Sequence, residues 1–188
     1  MSSQDRRWLL SGGIGSGKSE VRRLLEAHGI RTVDADSVGH AVLQDEALPA
    51  VSERWPDVMV DGVVDRSRLA GVVFARPDEL AALEAITHPL IFGRIENELE
   101  GFEGIVVVET PVIDFGRAWA RMVVDANAET RLRRAVARGL DRDDVESRMA
   151  SQPSRAEWLA AADLVIPNHG SLDEMKETVT LLVAYLGA

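Results

Sequence analysis

Gly12-Gly13-Ile14-Gly15-Ser16-Gly17-Lys18-Ser19 is the stretch whose reading decides the fold. It fills every fixed position of the pattern G-x-x-x-x-G-K-[ST]. Glycines let the backbone curl until successive N–H groups converge on phosphate oxygens. A helix beginning near Lys18 adds its positive N-terminal end. The Lys18 ammonium is a point charge for β- and γ-phosphates, and the Ser19 hydroxyl is the expected Mg²⁺ ligand. Gly13, Ile14, Gly15, Ser16, Gly17, Lys18, Ser19 and Glu20 are therefore the candidate nucleotide-binding residues. A Gly-rich turn without a ligand is the plain alternative.

The flanks suit a phosphate loop. Trp8-Leu9-Leu10 is a short apolar run before it, read as a buried strand. Val21, Leu24 and Leu25 behind it have helical spacing, and Gly29 stands where a helix C-cap glycine belongs. Ile30 to Asp34 reads as a second strand and Asp36 to Leu43 as a helix. Between Gln44 and Gly104 come Pro49, Pro56, Pro77 and Pro89, separated by short helical patterns. One helix is predicted around Leu80, Leu83 and Ile86, and another around Ile91, Ile95 and Leu99. This stretch reads as a helical insertion. Ile105-Val106-Val107-Val108 is fully apolar and β-branched, as a central parallel strand should be. Met122-Val123-Val124 and Asp163-Leu164-Val165-Ile166 are further strands. Helices are predicted over 128–138 and 173–186, with a charged, mobile helical segment over 141–152. Alternating strands and helices indicate an α/β fold with a parallel sheet.

The chain has 188 residues, 46% of them hydrophobic, which allows one core with an elaboration. It has no cysteine, so disulfides and thiolate metal sites are excluded. No stretch approaches the roughly 18 to 20 apolar residues of a membrane span. The polar start, Met1 to Arg7, lacks the apolar stretch of a signal peptide. A cytoplasmic protein that acts without a membrane is expected. The net charge of −10 argues against a general nucleic-acid binder. Lys18 and Lys176 are the two lysines. Arg131, Arg133, Arg134, Arg138, Arg142, Arg148 and Arg155 crowd one window, either to handle anions or as a solvated helix face.

Asp34 and Asp36 lie at the end of the second strand, the edge where open α/β sheets bind ligands. A carboxylate there could take the proton of an acceptor hydroxyl. Asp36 could equally cap the helix that follows, and Asp34 reads as structural. Glu109 ends the central strand, either near Mg²⁺ through a water or as a polar strand end. By spacing alone His88 is a structural histidine and Asn168 a turn residue. A phosphate loop says nucleotide, not reaction. No Asn-Lys-x-Asp base-reading motif is present. A short chain with a helical insertion and an Arg-rich segment favours a metabolite kinase.

The ordered set of motifs resembles the dephospho-CoA kinase family over nearly the whole chain. The Gly12–Ser19 loop is that family's wording. Val33-Asp34-Ala35-Asp36 with His40 resembles its second-strand motif. Val64-Asp65-Arg66 with Leu69, Val73 and Phe74 resembles the next block, and Leu83 to Pro89 another. Arg148-Met149-Ala150-Ser151-Gln152 resembles its lid segment, and Ala162 to Asn168 its last strand and adenine-side loop.

The resemblance implies transfer of the ATP γ-phosphoryl group to the ribose 3′-hydroxyl of dephospho-CoA, giving CoA and ADP. It implies a three-layer α/β/α phosphate-loop core (about 5–43, 104–138 and 160–188), a helical substrate-binding region (about 44–103) and a small lid (about 139–159). It places Asp36 as catalytic base, with Lys18 and Arg148 as its catalytic companions. Arg66 and His88 fall on the acceptor side, Arg138 and Arg148 on the lid side, and Asn168 near adenine. The partners implied are ATP and dephospho-CoA, with a monomer or weak homo-oligomer expected. Two positions depart from the family. Glu20 replaces a usual Thr, and Pro111-Val112-Ile113-Asp114-Phe115 replaces a Pro-Leu-Leu-Phe-Glu block. These departures keep two alternatives open: a kinase for another small nucleoside or nucleotide acceptor, and a nucleotide-binding regulator without catalysis.

Overall fold

The computed structural model describes residues 7–111 and 119–187. They divide into two compact units. One takes the chain up to Asp34 and again from Glu103; the other is Ala35–Phe102.

The first unit is built on five parallel strands: β1 (Arg7–Ser11), β2 (Arg31–Asp34), β5 (Val106–Glu109), β6 (Ala120–Asp125) and β7 (Leu164–Pro167). Their spatial order is β2-β5-β1-β6-β7. The order reverses at β1, because the chain leaves it for β2 on one side and later fills β6 and β7 on the other. That switch point is where a crevice opens outside the carboxyl ends of parallel strands. The register brings Leu10, Asp34 and Glu109 level, so Asp34 and Glu109 end their strands side by side. Val106, Val107 and Val108 are all buried, which is why that run is apolar without alternation.

Helix α1 (Lys18–Ala27) and the last helix, α9 (Leu172–Gly187), share one core. Val21 and Leu25 from α1 and Met175, Val179 and Leu182 from α9 pack with Trp8, Leu10, Val107, Met122 and Ile166. Helix α1 stops at Gly29, whose φ of 80° is the left-handed value of a helix-ending glycine. The unit also holds α6 (Ala128–Ala137), α7 (Arg142–Ser151) and α8 (Arg155–Ala160), capped by Asn127, Asp141 and Ser154. Helix α8 has no counterpart among the helices predicted from the sequence. Its signal was present: Ser154 and Glu157 form a reciprocal capping box. Among the described residues no helix is long and apolar enough to cross a membrane.

The second unit contains α2 (Ala35–Gln44), α3 (Leu48–Arg54), a short hairpin of β3 (Met59–Val60) and β4 (Val63–Val64), α4 (Arg66–Val73) and α5 (Pro77–Glu98). The hairpin adds to the helical insertion predicted here, and Asp61-Gly62 is its turn. Both residues have positive φ, 51° and 82°, as the tightest hairpin turns require. The expectation of two helices around Pro89 is corrected. Helix α5 runs unbroken through Pro89 for 22 residues. Thr87, Ile91, Phe92 and Ile95 are buried on either side of the proline, and that burial outweighs the lost backbone hydrogen bond. Gly39 of α2 lets α5 approach closely, since a β-carbon there would lie 3.2 Å from Ile91 Cδ1.

Candidate active site

The Gly12–Ser19 loop joins β1 to α1 and folds as a cradle. Ser16 N–H donates to the Gly13 carbonyl at 3.1 Å, closing a turn. Gly12, Gly15 and Gly17 have φ of 142°, 75° and 101°, conformations that side chains strain to adopt. Helix α1 starts from Gly17 with no side-chain cap, as α3 and α5 start without one, but here the glycine loop itself leads into the first turn. A helix N-terminus framed by such a loop is suited to an anion. Lys18 Nζ donates to the Gly12 carbonyl at 2.7 Å, holding its ammonium over the loop.

A carboxylate sits beside the loop's last residue. Ser19 Oγ donates to Glu109 Oε1 at 3.0 Å, and Arg22 Nε donates to Glu109 Oε2 at 2.7 Å. Burial works against the Arg22 charge, but Glu109 with the nearby Glu26 and Asp34 outweighs it and raises the Arg22 pKa. Glu109 is buried, so its charge needs these donors. The Ser19 hydroxyl and this carboxylate form an all-oxygen donor set, the kind that suits Mg²⁺. Among the described residues no group of three or more His, Cys, Asp or Glu could hold a metal.

Two arginines of the crowded window turn inward from α6. Arg131 is 7% exposed, its Nε donates to the Ile14 carbonyl at 2.9 Å, and burial lowers its pKa. A β-carbon on Gly13 would meet the Arg131 guanidinium, which would have to move aside. Arg134 donates to the carbonyls of Asn168 and Gly170 at 3.0 and 3.1 Å. Arg133, Arg138, Arg142, Arg148 and Arg155 are exposed, as a solvated helix face would have them. The sequence could count these arginines but not say which face of α6 each occupied. Helical spacing supplies a faint signal, since Arg131 shares a face with the buried Ala135 four residues on.

A cavity of about 430 Å³ opens beside the loop, lined by Gly15, Gly17, Ser19, Glu20, Arg23, Arg134, Arg138, Asn168 and Met175 among others. Glu20 pairs with Arg23 at 2.5 Å, so the departure at position 20 does not add an isolated negative charge. Asn168 is buried and donates from Nδ2 to the Ser16 carbonyl at 2.7 Å. Its side chain thus supports the loop, a tie that a bare turn residue would not predict.

Arg148 lies elsewhere, exposed on α7 and paired with Asp144 at 3.0 Å. Asp36, Arg66 and His88 belong to the second unit. Asp36 is exposed and is the second residue of α2, which begins directly after β2. It is inside the first turn, not at a cap. Arg66 is the exposed first residue of α4, capped by Asp65, and His88 is half-buried in α5. Of the Pro111–Phe115 block, Val112 to Phe115 lie outside the described residues.

A family model for dephospho-CoA kinase matches residues 9–174. A dephospho-CoA kinase of Streptomyces avermitilis is 42% identical over 182 residues, covering 90% of this chain and 88% of that protein. A solved structure from Thermus thermophilus superposes with a TM-score of 0.84 at 33% identity, covering 96% and 97% of the two chains. A dephospho-CoA kinase of Campylobacter jejuni shares the fold, with a TM-score of 0.72 at 22% identity over 96% of each chain. The phosphate loop at a switch point, the strand order and these identities agree, and the chain belongs to the dephospho-CoA kinase family, whose reaction is the ATP-dependent phosphorylation of dephospho-CoA in coenzyme A biosynthesis.

Proposed function

We propose that this chain transfers the γ-phosphoryl group of ATP to the ribose 3′-hydroxyl of dephospho-CoA, acting in the cytoplasm, with its work divided as follows. The glycine cradle, Lys18 and the N-terminus of α1 take the ATP phosphates. Ser19 Oγ, backed by Glu109, would hold Mg²⁺, which supplies neutralisation of phosphate charge. Asp36 orients the acceptor hydroxyl and takes its proton as that oxygen bonds to the γ-phosphorus and ADP leaves. Arg66 and His88 hold the acceptor. Residues 139–159 serve as the lid, and Arg148 within it and Arg138 at its edge steady the phosphates while water is excluded. Asn168 keeps the adenine-side loop against the cradle.

The observation that carries this reading is the start of α1. Its glycines are constrained by close contacts, it has no side-chain cap, and Lys18 lies over it. The experiment is incubation with Mg·ATP and dephospho-CoA, with CoA detected by mass spectrometry. Lys18→Ala should lower turnover about 100-fold or more. Asp36→Asn should lower it by about 10²–10⁴ while leaving ATP affinity unchanged. An Asp36→Asn protein of normal turnover would remove the base assignment. ADP without CoA would point to another acceptor, and ATP binding without turnover to a regulator.

A further inference from the structure

The phosphate loop is glycine-rich and therefore loose by composition, so something outside it must set its shape. Two side chains hold both backbone groups of Ile14, the loop's midpoint. Gln152 Oε1 accepts the Ile14 N–H at 2.8 Å, and Arg131 Nε donates to the Ile14 carbonyl at 2.9 Å. Arg131 Nη2 also donates to the same Gln152 oxygen at 3.1 Å, closing a ring of three residues. The glycines on both sides of Ile14 fit this brace. A β-carbon on Gly13 would meet the Arg131 guanidinium, and one on Gly15 would lie 2.2 Å from the Arg131 carbonyl.

Gln152 is itself held firmly. It ends α7, with its N–H on the Arg148 carbonyl at 3.2 Å and an extended ψ of 159°. Pro153 follows, and a proline disfavours helical backbone in the residue before it. The capped start of α8 at Ser154 comes next. The side chain that grips Ile14 thus projects from a pinned junction between α7 and α8.

We infer that Gln152 is a positioning residue for ATP: with Arg131 it holds Ile14 so that the loop is already shaped for phosphates, and it ties the α7–α8 segment to that shape. A preformed loop saves the ordering cost that nucleotide binding would otherwise carry. The effect should fall on affinity and spare the chemical step. The inference rests on the assignment of this loop to ATP, but its test does not need the acceptor to be right.

The test compares Gln152→Met, similar in size but without the carbonyl acceptor, with Gln152→Glu, which keeps an acceptor oxygen. A fluorescent ATP analogue gives the dissociation constant, and steady-state assays give KM for ATP and kcat. Gln152→Met should weaken ATP binding about tenfold, as expected for one hydrogen bond to a partly buried N–H, and change kcat less than about threefold. Gln152→Glu should stay within about threefold of the unaltered protein. Gln152→Met combined with Arg131→Met should weaken binding less than the two single effects multiplied, because both act through Ile14. A Gln152→Met protein with unchanged ATP affinity would overturn the inference. So would a Glu variant as impaired as the Met variant, since a merely structural role would not be rescued. If the unaltered protein bound ATP but made no CoA, the acceptor assignment would fail while the binding comparison still decided the role of Gln152.

Discussion

Gly17 admits no β-carbon without damage at two places. Its φ of 101° strains any other residue, and the added carbon would lie 2.3 Å from Asn168 Nδ2, the group that holds the Ser16 carbonyl. Gly29 separates these effects, for its φ is 80° but a β-carbon there meets nothing within 4 Å. Both Gly→Ala changes should cost about 1–2 kcal/mol of stability through the left-handed backbone. Only Gly17→Ala should also lower ATP affinity, by about tenfold or more, since the Asn168 tie must give way. Chemical unfolding and nucleotide titration of the two variants check this. A second residue-scale case is Asp125. Arg155 grips its carboxylate with bonds of 2.8 and 2.6 Å and holds its pKa below the usual carboxylate range against the opposing effect of burial, with His169 adding to the shift. A carboxyl depressed in the folded state contributes stability above its unfolded pKa of about 4 and loses it as pH falls through the lower folded value. The stability gap between the unaltered protein and Arg155→Met should therefore be full at pH 7 and shrink below about pH 4, measured by urea unfolding across pH. The phosphate loop was legible in sequence because its chemistry dictates residue types at fixed spacing. Arg131 and Gln152 were not, because their roles depend on which of many arginines and polar residues a fold brings to Ile14.

The elements that sequence predicted well are those whose composition records their burial. The interior strand β5 begins with three consecutive buried valines, and α1 shows Val21 and Leu25 one turn apart. The elements it missed or divided are those where local signals and packing disagree. Pro89 predicts a break, but α5 is buried on both sides of it and stays whole. Short α8 lacks a long periodic pattern, and its identity lies in its cap. Ser154 Oγ accepts the Glu157 N–H at 3.2 Å, and Glu157 Oε2 accepts the Ser154 N–H at 2.8 Å. Ser154→Ala should cost about 1 kcal/mol. For a chain of this size that is a fall of about 2–4 °C in melting temperature. The cap also follows directly on Pro153 and Gln152, so the loss should reach the loop. A small rise in KM for ATP should accompany the lower melting point. Unchanged KM would show that α8 anchors itself through Trp158, which is buried, independently of its cap.

The whole chain carries a net charge of −10, yet the cavity beside the glycine loop is lined by Arg23, Arg134 and Arg138, with Lys18 in the loop beside it. Net charge describes the surface at large, while a ligand meets the few cations gathered around one cavity. Every one of these groups lies in the first unit, as do Glu109, Arg131, Gln152 and Asn168. The second unit, Ala35–Phe102, has its own buried residues from α2, α3, α4 and α5 and holds the residues assigned to the acceptor. The two substrates should therefore register in different parts of the chain. A ligand that binds only the folded state stabilises by about 2.7 kcal/mol at 100 times its dissociation constant, and amides whose opening would release it exchange more slowly. Hydrogen exchange with a non-hydrolysable ATP analogue should slow most at residues 12–19, 131–138 and 168–172. Dephospho-CoA alone should slow exchange most within 35–102, around α2, α4 and α5. Protection by the ATP analogue as strong over 35–102 as over the loop would mean that the nucleotide site is not confined to the first unit. Protection by dephospho-CoA confined to the first unit would mean that Asp36, Arg66 and His88 do not receive the acceptor, whatever the ATP result.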